Sequence, residues 1–125
     1  MIDFAAASLT LLVLDFLWLY AFMGSQYDVM IYKIQGEKMS ASPWFALASY
    51  VLMLLGLFVF VRPLVRGRST LYAAGIGALF GLIVYGIYDF TAGAVLKNWD
   101  WRLAILDVLW GSAVFSVSAI VMNRL

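Results

Sequence analysis

Three aspartates stand inside apolar runs of this chain: Asp15 in Leu14-Asp15-Phe16-Leu17-Trp18, Asp89 in Tyr88-Asp89-Phe90, and Asp107 in Leu106-Asp107-Val108-Leu109-Trp110. A carboxylate surrounded by hydrocarbon needs a partner, a proton or a cation, so each is a candidate for ion or proton binding. Aromatic residues recur at helical spacing around them. Trp18 follows Asp15 by three positions and Trp110 follows Asp107 by three, while Tyr85 precedes Asp89 by four and Tyr88 adjoins it. Residues three or four apart share a helix face, and tyrosine hydroxyls and indole N–H groups donate to carboxylates. Asp15, Asp89, Asp107, Trp18, Tyr85, Tyr88 and Trp110 are therefore the candidate binding set. The plainer role for each aspartate is a hydrogen-bonded clamp between helices, worth about 0.6 kcal/mol per bond in membranes. For the two tryptophans the plainer role is packing.

The elements that must hold these groups are set by composition. Of 125 residues, 66% are hydrophobic and 12% charged, where a soluble domain is about half apolar and a quarter charged. This is an integral membrane protein of one membrane domain. Cysteine and histidine are absent, which excludes disulfides, Cys/His zinc sites and iron–sulfur clusters, and removes the usual haem ligand. No cofactor is expected, although carboxylates alone can hold a metal through oxygen. A net charge of +1 gives no basic surface for nucleic acid. The start, Met1-Ile2-Asp3, lacks the positive region of a cleaved secretory signal.

Four runs are long enough to cross a bilayer, over about 4–23, 44–61, 70–96 and 103–122. The fold class is all-α, a bundle of four transmembrane helices with both termini on one side. Ser42, Ser69 and Asp100 are candidate N-caps, and Pro43 suits a first helical position. Tyr27, Met30, Ile31 and Ile34 recur at helical spacing and predict an amphipathic extension over about 26–36, ended by Gly36. In span three, Ala73, Gly77 and Gly81 are spaced by four and would allow close packing, as would Gly111 in span four. Span three is the expected centre of the bundle.

The side that carries the termini also carries Arg62, Arg66, Arg68 and Arg124; the other side carries Lys33, Lys38, Lys97 and Arg102. The arginines crowd the shortest loop, which places the termini in the cytoplasm by the positive-inside rule. At about 1.5 Å per residue, Asp15 falls near or just past the midplane, Asp89 about two turns and Asp107 about one turn from the far end. All three then lie in the half of the bilayer away from the termini. The expectation is one acidic, aromatic pocket opening on that side, with no lysine or arginine inside a span to neutralise it.

The chain resembles a family of small bacterial membrane proteins known as domain of unknown function 2177. The resemblance rests on Leu14-Asp15-x-x-Trp18-Leu19, on Phe60-x-x-Pro63, and on Gly77-Ala78-Leu79-Phe80-Gly81-Leu82. It continues through Tyr85-x-x-Tyr88-Asp89-Phe90-Thr91, Leu96-Lys97-Asn98-Trp99 and Asp107-x-x-Trp110-Gly111. Ala92 stands where the family pattern has asparagine. The resemblance implies four membrane helices, in a bacterial inner membrane, and no reaction.

Three functions compete. The first is binding or transport of a cation, a proton or a small cationic solute through the acidic and aromatic pocket, with a homo-oligomer suited to so short a chain. The second is a non-catalytic subunit of a larger membrane complex. The third, an enzyme acting on lipid, has the least in its favour, since no Ser/His or Cys/His constellation and no DxxD-type metal motif is present.

Overall fold

The computed structural model describes residues 1–40 and 42–125. Four helices follow one another: α1 (Ile2–Gln35), α2 (Pro43–Val65), α3 (Thr70–Val95) and α4 (Trp101–Arg124). No strand occurs among the described residues. Local chemistry sets the boundaries. Ser42 Oγ accepts from the Phe45 amide, Ser69 Oγ from the Tyr72 amide, and Asp100 Oδ1 from the Arg102 amide, so each later helix begins on a side-chain cap. α1 ends where Gly36 turns left-handed at φ 77°.

α1 has 34 residues, roughly 50 Å of helix against a hydrocarbon layer of about 30 Å. It therefore overruns the bilayer at the end far from the termini. Two helices carry a π-helical turn, Leu19–Met23 in α1 and Leu57–Val61 in α2. The second lies just before Pro63, whose ring crowds the preceding turn and lacks the N–H that an α-turn would use. In the first, a Cβ on Gly24 would lie 2.4 Å from the Leu19 carbonyl oxygen, so this close backbone approach requires glycine.

The most enclosed helix is α4, not the expected α3. Its buried positions Ala104, Asp107, Val108, Gly111, Val114, Phe115, Ser118, Ala119 and Met122 follow helical spacing and face all three neighbours. α3 packs closest to it. A Cβ on Gly77 would sit 2.3 Å from the Phe115 carbonyl oxygen, and one on Gly81 only 2.0 Å from that of Gly111. Ala73 is fully buried on the same stripe. Ser112 and Ser116 Oγ donate to the Ala78 and Ala74 carbonyls at 2.9 and 3.0 Å, which locks the register of the two helices.

The half of the bundle nearest the termini is filled by Leu11, Leu57, Val61, Val65, Val114 and Phe115, all essentially inaccessible. The far half differs. There Met23, Tyr27 and Met30 of α1 pack with Trp99 and Leu103 over the α3–α4 connection. α2 divides along the same line. From Gly56 onward it is seated in the core, but Trp44 and Phe45 in its first turn are 78% and 81% exposed.

Candidate functional site

Asp15 projects from α1 into the centre of the bundle and is 5% exposed. Three donors from the three other helices meet it. The Tyr50 hydroxyl of α2 donates to Oδ2. The Tyr85 hydroxyl of α3 and the Trp110 indole N–H of α4 donate to Oδ1 at 2.8 and 3.3 Å. Gly111 makes room for this arrangement, since a Cβ there would lie 2.1 Å from the Tyr85 ring. One carboxyl group thus ties all four helices at mid-depth.

This pairing differs from the one expected from spacing. Tyr85 and Trp110 serve Asp15 across the bundle, not the aspartates of their own helices. Trp18 does not donate to Asp15: its indole N–H is buried without a partner, and its ring stacks on Trp110, centroids 4.6 Å apart and planes 3° from parallel. Same-face spacing puts two side chains side by side along a helix. It does not set which of them crosses to a neighbour.

Asp89 and Asp107 form a second group. Asp89, on α3, is entirely inaccessible, and Asp107, on α4, is 5% exposed. Their carboxyl groups lie against each other. Neither Asp89 oxygen has a hydrogen-bond donor. Tyr27, from the overrunning part of α1, brings its hydroxyl beside Asp107. Tyr88 flanks the pair and packs edge-on to Trp99, ring centroids 6.0 Å apart. The Trp99 indole N–H is also buried without a partner. Tyr85 connects the two groups, because its hydroxyl is bonded to Asp15 and lies within electrostatic reach of Asp107.

The three aspartates therefore do not converge on one point. Among the described residues no three carboxylates are arranged to hold a metal ion. Two surface hollows among the described residues lie elsewhere. A hollow of about 320 Å³ lies at the termini end, among Asp3, Arg66, Gly67 and Asn123. A shallow groove along α3, among Leu82, Ile83, Gly86 and Phe90, faces outward. What the bundle contains is one satisfied carboxyl, Asp15, and a buried carboxyl pair in which Asp89 has no donor.

Besides Tyr27, two side chains outside the expected set complete the polar framework. Tyr50 is one. Asp3 is the other: it accepts from Arg62 Nε at 2.7 Å and from Arg62 Nη2 at 3.3 Å, a two-point ion pair joining the first turn of α1 to the end of α2. A mid-span tyrosine whose hydroxyl requires a partner was the available signal for Tyr50. For Asp3 the signal was an acid at the level of an arginine-rich turn.

The model of the family described as a predicted membrane protein, domain of unknown function 2177, matches residues 1–123, and the chain belongs to that family. No curated protein and no solved structure matches it.

Proposed function

We propose that this family member binds a proton or small cation at the Asp89–Asp107 pair, reached from the side of the membrane opposite the termini. The observation that carries this reading is Asp89 itself, a fully buried carboxyl with both oxygens unpartnered and another carboxyl as its neighbour. Two charged carboxylates in contact repel each other and lose hydration, and each offers only acceptors. A proton or cation between them supplies what both lack. The contact between the two carboxyl groups and the full burial of Asp89 favour the smallest occupants, a proton first. Tyr27, Tyr88 and the aromatic rings behind them form the wall on the far side.

Binding fits a single chain better than conduction. Leu11, Leu57, Val61, Val114 and Phe115 pack together on the termini side of Asp15. Transport would need a second copy or a partner to complete a route. We further infer, from the arginine-rich α2–α3 turn, that the termini face the cytoplasm and that the pair is entered from outside it.

The test is the thermal unfolding midpoint of purified protein in acidic and neutral buffer, and with sodium, potassium or choline added. The wild type is expected to respond to acid or to one cation, and the D89N/D107N double variant to lose that response. If the two proteins respond identically, the pair binds nothing.

A second reading, a subunit of a larger membrane assembly, has one observation in its favour. The outer half of α2 presents Trp44, Phe45, Leu47, Val51 and Leu52 away from the bundle. Gentle extraction decides it: migration at the mass of one chain removes this reading.

A further inference from the structure

At the termini end the bundle carries three arginines without an ion pair among the described residues. Arg62 is committed to Asp3. Arg66, Arg68 and Arg124 make no ion pair among the described residues, and all three are exposed. The elements that carry them are joined by Asn123, whose side-chain amide donates to the Val65 carbonyl at 2.7 Å and the Arg68 carbonyl at 2.8 Å. These bonds pin the α2–α3 turn to the end of α4. Arg68 lies over the Tyr72 ring, 3.9 Å from its centroid, which fixes the height of its guanidinium. Arg124 reaches across to Thr70 Oγ1 at 3.5 Å. Arg66 borders the hollow of about 320 Å³ beside Gly67 and Asn123.

The chemistry of this rim is specific. A guanidinium presents a planar fork of donors that matches two phosphate oxygens. Two such groups on a turn held to the end of α4, and a third from α4 itself, bind an anion with little loss of freedom on binding. Immediately beside them, Leu64 and Leu71 are 49% and 83% exposed, at the last turn of α2 and the first turn of α3. Exposed apolar side chains on the helix turns that flank unpaired cations match the boundary between acyl chains and headgroups. A free phosphate would use the arginines and leave the leucines idle; a phospholipid would use both.

We propose that Arg66, Arg68 and Arg124 form a binding site for the headgroup of an anionic phospholipid, with its acyl chains along Leu64 and Leu71. A zwitterionic lipid carries the same phosphate but adds an ammonium that the three arginines repel. The site therefore discriminates by net charge. It is separate from the carboxyl pair, at the opposite end of the bundle.

The experiment is native mass spectrometry of the detergent-purified chain mixed with phosphatidylglycerol, phosphatidylcholine or inorganic phosphate. Phosphatidylglycerol adducts should survive, and phosphatidylcholine adducts should be weaker by about tenfold or more, equivalent to about 1.4 kcal/mol. The R66Q/R68Q/R124Q variant should lose this preference. Equal retention of both lipids overturns the proposal, as does full retention in the triple variant. Adducts with inorganic phosphate alone that match those of phosphatidylglycerol also overturn it, since the leucines would then play no part. Should the triple variant not fold, wild-type retention at low and high salt decides: the preference for phosphatidylglycerol must shrink as salt rises, and a preference indifferent to salt overturns the proposal.

Discussion

Asp15 and Asp89 occupy similar ground. Each is a carboxyl within an apolar helix, each is 5% exposed or less, and each has aromatic neighbours. Their surroundings nevertheless oppose one another. Asp15 receives donors from α2, α3 and α4 and has no hydrogen-bonding need left over. Asp89 receives none, and its neighbour is a second acid. The same residue type in the same hydrocarbon context is a structural tie in one place and an incomplete site in the other. The number of donors arriving from other helices decides between the two.

Removing the tie should have the largest effect. Asp15→Ala leaves two tyrosine hydroxyls and an indole N–H without an acceptor, each costing about 1–3 kcal/mol when buried. The expected loss is on the order of 3 kcal/mol, read as a large drop in the unfolding midpoint in mild detergent. Next comes Gly111→Ala, which places a methyl group where the Tyr85 ring now lies and forces that ring off Asp15. Overpacking of this kind costs about 1–3 kcal/mol. Its signature beyond stability is that adding Tyr85→Ala to the same chain should recover part of the loss. A midpoint unchanged by Gly111→Ala would mean that the tie tolerates displacement of Tyr85.

Tyr50→Phe removes one of the three donors and should cost about 1 kcal/mol. Because the outer half of α2 is otherwise little packed, amide exchange should quicken over residues 43–55 and remain slow in α4. Asp89→Asn should have the smallest effect on stability, within about 1 kcal/mol of wild type, since a neutral amide in place of a donorless carboxyl removes the conflict between two adjacent acids. A loss as large as that of Asp15→Ala would erase the distinction between the two carboxyl groups.

Much of this was legible in the sequence. The Ser42-Pro43 start, the Ser69 and Asp100 caps and the Gly36 stop are local signals, and local chemistry acts on them directly. The four apolar runs and the all-helical class follow from length and composition. The cross-helix pairings were not legible. Tyr50 sits in Ala48-Ser49-Tyr50-Val51, with no acid nearby in sequence, and its partner lies 35 positions away. Spacing pairs Tyr85 and Trp110 with the aspartates of their own helices, because it describes one helix at a time. Their actual partner depends on how each helix is rotated about its axis, and close packing at Gly81 and Gly111 sets that rotation. The small-residue stripe of α3 was visible, but it pointed to α3 as the centre. The structure gives that place to α4, whose small and large residues alternate around a wider buried face. The π-helical turns had only Gly24 and Pro63 as signals, and neither is specific.

The central claim, that Asp89 and Asp107 are incomplete without a shared proton or cation while Asp15 is complete, is most directly tested by infrared difference spectroscopy of the membrane-reconstituted protein at neutral pH. The wild type should show a protonated-carboxyl band when no cation is added, retained in Asp15→Asn and lost in the D89N/D107N double variant. A band that disappears with Asp15→Asn, or one that survives removal of both Asp89 and Asp107, would contradict it.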